Sequence, residues 1–238
     1  GGAGRRRGLV TAAGALLGPR MDVAGGPVTP LQMNQYVVGC LETRQAAIVD
    51  CGAATAQELA PFARWIKERN MELAAVLQTH GHIDHVAGLG IVRLESFFPG
   101  VKIYMHSRDR ELYESAAGVA GQYGMALGAP LPDDWIALDE MKSVSVGNLT
   151  FEIIETPGHS PGHVCFYEPR SKRLWGGDLI MQGSIGRTDF PTSNPAHMRE
   201  SLRRICAMDD DMVIFPGHGG ASRLGDEKRG NPFLRALD

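Results

Sequence analysis

Three histidines and an aspartate lie within six residues of one another in the segment LQTHGHIDHVAG, positions 77–88. Imidazole and carboxylate groups are costly to bury without partners, and a solvated surface has no particular need of histidine. The cluster follows LAAVL, a short apolar run that predicts a central strand covered on both faces. The chain must therefore fold so that a buried strand ends at a polar centre, formed by His80, His82, Asp84 and His85.

The same arrangement occurs at three further strand ends. FEIIETPGH leads to His159, RLWGGD to Asp178 and MVIFPGH to His218. Because functional sites gather on loops beyond strand ends, we expect the four loops to meet in one cleft. Five imidazoles and two carboxylates, with no thiolate among them, suit a pair of divalent metal ions. We expect zinc, with iron or manganese as the alternatives.

The rest of the sequence predicts strands and helices in each half. Residues 31–40 and 46–52 are typical of a hairpin, and residues 54–70 have the apolar period of a helix that Pro61 can kink. This mixture indicates an α/β fold with two sheets packed face to face and helices outside. We expect one domain over residues 26–238, preceded by a flexible leader over residues 1–25.

The leader has three arginines, a short apolar run and no initiating Met. It is interpreted as targeting sequence, as expression-derived residues upstream of a start at Met21, or as a segment without a role in the fold. Four cysteines without a CxxC pair indicate reduced thiols. We therefore expect a cytoplasmic protein, and organellar targeting by residues 1–20 stays open.

Composition narrows the classes of partner. The formal net charge is −3, and no basic tract follows Arg5–Arg7, so a nucleic-acid surface is not expected. No run reaches the roughly 20 apolar residues that a transmembrane helix needs, so no membrane partner is expected. We expect a small-molecule substrate, and a homodimer is an open alternative to a monomer.

The motifs THGHIDH, TPGHSPGHV, GGDLI and FPGHGG, in this order and at these separations, resemble those of the metallo-β-lactamase superfamily. More narrowly, they resemble its glyoxalase II-like hydrolases over residues 31–234. The resemblance implies an αββα sandwich of two mixed β-sheets with helices on the outer faces. It also implies one metal on His80, His82 and His159, a second on Asp84, His85 and His218, and Asp178 as the bridge between them.

Two divalent ions that share a water lower its pKa to about 7, which supplies hydroxide to attack a carbonyl carbon. The resemblance implies that Asp84 and Asp178 are catalytic, with Asp84 also orienting the hydroxide. Asp50 matches a family position that hydrogen-bonds a ligand histidine; a strand-end turn is its alternative role. The predicted activity is hydrolysis of a thioester such as S-lactoylglutathione.

The loop GSIGRTDF resembles the loop that binds the glycyl carboxylate of glutathione in glyoxalase II. Gly186 and Arg187 are therefore candidate substrate contacts, because guanidinium binds carboxylates in a bidentate manner. The alternative is that Arg187 pairs with Asp189 and stiffens the loop. No G-x-S-x-G stretch supports a serine nucleophile.

Only 20 residues follow His218, fewer than the helical domain that completes the glutathione pocket of full-length glyoxalase II. The ending resembles that of short, single-domain relatives, in which charged residues precede Asn-Pro-Phe-Leu. We interpret these tail charges as a solvated end. Closure of a partner subunit's site is the alternative.

Two other activities compete with thioester hydrolysis. A persulfide dioxygenase uses a single Fe²⁺ on residues equivalent to His80, His159 and Asp178, all of which are present. The FPGHGG ending favours the hydrolase over that dioxygenase. Hydrolysis of another ester or amide is the second alternative, although Asp178 argues against a β-lactamase.

Overall fold

The N-terminal half of the chain forms a six-stranded mixed sheet. The structure, a computed structural model, describes residues 20–237. Strands β1–β3 are antiparallel, whereas β3–β6 run parallel. In sheet order the strands are β1 (Met21–Val28), β2 (Met33–Cys40), β3 (Gln45–Val49), β4 (Glu72–Leu77), β5 (Lys102–Met105) and β6 (Ile136–Ala137).

The C-terminal half forms a second six-stranded mixed sheet, in which one pair of strands is parallel and the other pairs are antiparallel. Its strands are β7 (Ser143–Val146), β8 (Leu149–Glu155), β9 (Val164–Glu168), β10 (Arg173–Gly177), β13 (Val213–Pro216) and β14 (Ser222–Arg223), in the order β14-β13-β10-β9-β8-β7. Between β10 and β13, β11 (Ile180–Met181) and β12 (Ser184–Ile185) form a separate small hairpin.

Strand alternation sends side chains to two different cores. Val37 and Val76 pack under the helices on the outer face of the first sheet. Their neighbours Val38 and Leu77 pack between the two sheets, against residues of the second sheet that include Trp175. Because neighbouring residues on a strand point to opposite faces, both faces of these strands are buried. The predicted αββα sandwich is therefore confirmed.

Within residues 20–237, seven α-helices complete the two outer layers and the loops. They are α1 (Ala56–Glu68), α2 (Ile83–Val86), α3 (Leu89–Val92), α4 (Arg110–Val119), α5 (Pro195–Cys206), α6 (Leu224–Gly230) and α7 (Pro232–Arg235). Helix α1 begins with a capping box between Thr55 and Glu58. It continues through Pro61, which is exposed, so water can solvate the carbonyl that proline leaves without a donor.

The start of the folded domain differs from the prediction. Residues 21–25, which the sequence assigned to the leader, belong to β1. The whole of β1 pairs with β2, from Met21 opposite Cys40 to Val28 opposite Met33. The GGP stretch at 25–27 is typical of a loop, but the long neighbouring strand supplies backbone partners along all of β1. Residues 1–19 of the expected leader lie outside the described residues. Among residues 20–237, no helix has the length and apolarity needed to cross a membrane.

Candidate metal centre

Four strand ends bring the seven predicted ligands together. Each of three groups has its candidate ligand atoms within 4.8 Å of one another: His80, His82 and His159; His80, His85 and Asp178; and Asp84, His85 and His218. The first and third groups are the two sets that the family resemblance implied. All but His82 and His218 are buried, although they come from the segments that follow β4, β8, β10 and β13, with Asp84 and His85 in α2.

Asp178 lies between the first and third groups. One carboxylate oxygen, Oδ2, is 3.4 Å from His159 Nε2 and 3.6 Å from His218 Nε2. The other, Oδ1, is 3.5 Å from His85 Nε2. The carboxylate of Asp178 therefore lies beside imidazoles of both groups, where it would link two cations.

The centre contains buried polar atoms that the described residues leave without hydrogen-bond partners. Those beside the centre are the Nε2 atoms of His80, His85 and His159, and Oδ1 of Asp178; Nδ1 of His85 also lacks a hydrogen bond but lies 3.0 Å from Asp50 Oδ2. Buried polar groups are almost always paired, so a cluster of unpaired polar atoms needs an explanation. Divalent cations would satisfy these atoms together, and the cluster therefore fits a dinuclear metal site.

Hydrogen bonds behind two of the rings set which nitrogen faces the centre. The Thr79 hydroxyl donates to Asp50 Oδ2 (2.9 Å), so it accepts from His80 Nδ1, 3.0 Å away. His159 Nδ1 donates to the carbonyl of Arg187 (2.8 Å). In both rings the proton is then on Nδ1, and the lone pair of Nε2 points into the centre.

Asp50 supports two parts of the centre at once. Its Oδ1 accepts from the Thr79 amide (2.8 Å), and its Oδ2 lies 3.0 Å from His85 Nδ1. The backbone at Asp50 has φ = +56°, a conformation that is uncommon outside glycine and is held by the surrounding contacts. This geometry agrees with the role beside a ligand histidine that the resemblance implied.

Burial and neighbouring charges control the proton affinities. Burial lowers the pKa of His82 to about 3, and burial together with the charge of His85 lowers the pKa of His80. Burial, the largest single influence, would raise the pKa of Asp84 and Asp178, but the neighbouring histidines, His85 foremost, together outweigh burial and lower both. Neutral imidazoles and ionised carboxylates are the forms that bind metals.

His85 is the exception in this set. Burial would lower its pKa, but the carboxylates of Asp50, Asp178 and Asp84 outweigh burial and raise it well above the usual value. Burial would also lower the pKa of His218, but the hydrogen bond to Asp84 and the charges of Asp178 and Asp84 together outweigh burial and raise it. A cation that binds these two rings therefore competes with protons for their nitrogens.

The sequence interpretation missed His163, a sixth histidine beside the centre. Its ring centroid is 5.2 Å from that of His80, and burial lowers its pKa to about 3. Its Nε2 accepts from the Asp178 amide (3.1 Å), and its Nδ1 lies 2.8 Å from the Thr156 hydroxyl. Both nitrogens are engaged, so His163 holds the Asp178 backbone and is not a ligand candidate. The repeated PGH in TPGHSPGH was the available signal.

Asp109 was also missed. This fully buried carboxylate accepts from the Gly81 amide (2.9 Å), the Ser160 hydroxyl (2.6 Å) and the Gly162 amide (2.5 Å). The first donor lies between His80 and His82, and the other two follow His159. Asp109 therefore joins two candidate ligand loops at the start of α4, and no local motif marks it in the sequence.

The His218 loop is held from the opposite sheet. The backbone amide of Asn34 donates to the carbonyl of Gly217 (2.6 Å). The side-chain amide of Asn34 donates to the carbonyl of Gly219 (2.7 Å). The hydroxyl of Tyr36 donates to the carbonyl of Pro216 (2.8 Å). Strand β2 of the first sheet thus positions a candidate ligand that follows a strand of the second.

A cleft of about 640 Å³ opens above the centre. Its walls are largely apolar, and among the described residues that line it Arg187 is the one cationic side chain apart from the histidines. The guanidinium makes two 2.6 Å hydrogen bonds to Asp189 and stacks 4.3 Å from the Phe190 ring centroid. Both interpretations of Arg187 are therefore compatible with its position, since it pairs with Asp189 and also lines the cleft.

Gly186 does not occupy the position expected of a substrate contact. It is buried, its amide donates to the Leu179 carbonyl (3.3 Å), and it is not among the described residues that line the cleft. A Cβ at this position would lie 1.9 Å from the Asp178 carbonyl oxygen. Glycine is required here because the loop packs against the backbone of Asp178.

A family model described as the metallo-β-lactamase superfamily matches residues 28–218. The chain belongs to this superfamily. A relative in Haemophilus influenzae, named hydroxyacylglutathione hydrolase GloC, is 37% identical over 219 residues, which are 91% of this chain and 99% of the relative.

Two solved structures of similar length share the architecture of this superfamily member. BLEG-1, described as a B3 metallo-β-lactamase, has a TM-score of 0.78 and 31% identity, and the match covers 90% of this chain and 99% of BLEG-1. TTHA1623, solved in a di-iron-bound form, has a TM-score of 0.76 and 35% identity, and the match covers 87% of this chain and 98% of TTHA1623.

Proposed function

We propose that this protein is a dinuclear metal-dependent hydrolase that cleaves thioesters such as S-lactoylglutathione. The observation that carries the proposal is the convergence of two groups of imidazoles and carboxylates, most of them buried, on Asp178. The similarity to a protein named hydroxyacylglutathione hydrolase supports the thioester as substrate.

In this proposal His80, His82 and His159 would hold one ion, and Asp84, His85 and His218 would hold the other. Asp178 would link the two groups of ligands. When bound, the ions supply a reactive hydroxide and polarise a substrate carbonyl. A donor set of imidazoles and carboxylates suits zinc, iron and manganese alike. The similarity to TTHA1623, solved with two irons, makes iron as strong a candidate as zinc.

Asp84 has the position and charge of a group that orients the attacking water. It lines the cleft, and its lowered pKa keeps it as a hydrogen-bond acceptor at neutral pH. Its Oδ2 is 3.2 Å from His218 Nε2, so the carboxylate is held beside the second group of ligands. Asp84 would accept a hydrogen bond from the water and aim its lone pair at the substrate carbonyl carbon.

Arg187 would bind a carboxylate on the thiol part of the substrate. Its present partner, Asp189, is exposed, and exposed ion pairs contribute little, so an incoming carboxylate can replace it. The replacement would keep two parallel hydrogen bonds to the guanidinium. The remaining cleft is lined by apolar side chains, which exclude water from the reacting atoms. This arrangement favours a small molecule over a macromolecular substrate.

The test combines metal analysis with substrate assays on purified protein. For the wild type we expect two metal ions per chain and hydrolysis of S-lactoylglutathione. Asp178→Ala should lose the two-ion stoichiometry and the hydrolysis. The control His197→Ala changes an exposed histidine outside the cluster and retains both. One iron per chain with oxygen uptake on glutathione persulfide would replace the proposal with the dioxygenase.

A second candidate, β-lactam hydrolysis, is favoured by the 31% identity to BLEG-1 over almost the whole of both chains. The same residues would hold ions that supply hydroxide for attack on a lactam carbonyl. A chromogenic cephalosporin therefore belongs in the same assay series. Turnover of the cephalosporin with no thioester cleavage would assign the centre to lactams and overturn the thioester.

A further inference from the structure

Two residues of the C-terminal segment are buried, although the sequence predicted a solvated end. Glu227 and Asn231 are 4% and 0% exposed. Their charged neighbours Lys228 and Arg229 pair with aspartates instead. A carboxylate and an amide in the interior of a tail have to meet a specific set of polar groups.

These polar groups belong to the turn of the small hairpin β11–β12. Glu227 Oε2 accepts from the Gly183 amide (2.9 Å). The side-chain nitrogen of Asn231 donates to the carbonyl of Ser184 (2.9 Å) and to that of Met181 (3.3 Å), and to Glu227 Oε2 (3.0 Å). The two side chains thus satisfy N–H and C=O groups of the same turn.

The hairpin needs such support. Each of its strands has two residues, and even a longer isolated hairpin is marginal in water. Gly183 at its turn has φ = +71°, a conformation that glycine adopts without strain. Side-chain hydrogen bonds from α6 and the start of α7 therefore replace the strand neighbours that the hairpin lacks.

The position of this hairpin affects the cleft directly. It begins two residues after Asp178, and its residues Met181 and Ile185 line the cleft. The chain that leaves it reaches Arg187, whose carbonyl accepts from His159 Nδ1 (2.8 Å). A displacement of the hairpin would therefore move one wall of the cleft and the Arg187 side chain.

We propose that Glu227 and Asn231 are positioning residues that hold the β11–β12 hairpin as a wall of the cleft and thereby set substrate affinity. The effect on affinity rests on the proposed function. The positioning of the hairpin does not rest on the proposed function, because the hydrogen bonds join the tail to the hairpin whatever the substrate is.

The test uses the full chain with its metals and compares Asn231→Leu and Glu227→Leu with the wild type. We expect faster hydrogen exchange in residues 179–187 and a KM for S-lactoylglutathione raised about tenfold, with kcat within about twofold. Metal content stays at the wild-type value. Glu227→Gln retains an acceptor for the Gly183 amide, so it should restore most of the protection from exchange.

Asp226→Asn is the matched control, because Asp226 is an exposed neighbour on the same helix that pairs with Arg229. It should leave exchange and KM unchanged. If the leucine variants do not fold, Glu227→Gln and Asn231→Asp carry the test, since Asn231→Asp keeps the acceptor for the Phe233 amide but loses the donor to the hairpin.

The outcomes separate the two proposals. Unchanged exchange in residues 179–187 in the folded variants overturns the positioning role, even if the enzyme cleaves thioesters. Raised exchange with an unchanged KM also overturns it, because the wall would then have no effect on affinity. Absence of thioester cleavage by the wild type overturns the proposed function, while the exchange measurement still tests the contacts of the tail.

Discussion

The floor and the wall of the cleft are built differently. The floor is the candidate ligand cluster, in which buried rings are held from behind by Asp50, Thr79 and the carbonyl of Arg187. The wall around Arg187 and Phe190 is partly exposed, and Arg187 is held by an exposed ion pair. The difference teaches that the candidate ligands are held by buried hydrogen bonds, whereas the side chain of Arg187, the candidate substrate contact, is held by an exposed ion pair at the end of a hairpin that the tail supports.

The largest effect is expected from removal of the bridge in the floor. Asp178→Asn removes the negative charge between the two groups of ligands, so the second ion should be lost. We expect activity to fall by about a thousandfold or more, equivalent to several kcal/mol of transition-state stabilisation. Metal content and initial rates measure this. If Asp178→Asn retained both ions and full activity, the ligand cluster would tolerate substitution as well as the wall does, and the comparison between floor and wall would fail.

A smaller but still large effect is expected from Asp109, which joins two loops of the floor. Asp109→Ala leaves two buried amides and a hydroxyl without their acceptor, at about 1–3 kcal/mol for each unsatisfied group. We expect a lower thermal midpoint and weaker metal binding by about 10- to 100-fold. Asp133→Asn, at an exposed position, is the control for loss of a carboxylate. Equal midpoints for the two variants would contradict the role of Asp109.

Metal binding should depend on pH in a defined direction. The pKa of His85 is raised by three carboxylates, so the metal-free protein holds a proton there at neutral pH. A cation needs the unprotonated ring, so its binding releases protons and strengthens as pH rises toward the pKa of His85, by about tenfold per pH unit for each proton released. Calorimetry in buffers of different ionisation enthalpy measures the release. Binding that takes up protons would contradict this sign.

The smallest effect is expected in the wall. Arg187→Ala should raise KM for a carboxylate-bearing thioester about tenfold, with little change in kcat, because the side chain binds a part of the substrate away from the carbonyl. The metal content should not change. Asp189→Asn frees the guanidinium for the substrate carboxylate and should lower KM. A raised KM for both variants would mean that the ion pair only stiffens the loop.

Local patterns predicted the floor well. The strand preceding His80 and the companion Pro-Gly-His stretches indicated strand ends with polar residues, and the structure brings those ends together. The wall was predicted less well. Arg187 lines the cleft, but Gly186 supports backbone packing, because whether a loop residue faces a ligand or its own chain depends on distant contacts.

The residues that local patterns missed act through contacts between distant segments. Asp109 is 28 residues from Gly81 and 53 from Gly162, and Asn231 is 47 from Ser184. The strand over residues 21–25 depends on pairing with β2 and not on its own composition. Neither spacing nor periodicity reports such partners.

The sequence by itself determined the alternation of strands and loops and the types of metal-binding side chain at the strand ends, because both follow from local apolar patterns and side-chain chemistry. Only the tertiary structure decided which nitrogen of each ring faces the centre, which histidine is a support and which tail residues hold the wall. These properties depend on hydrogen-bond partners that become neighbours only when the two sheets pack together.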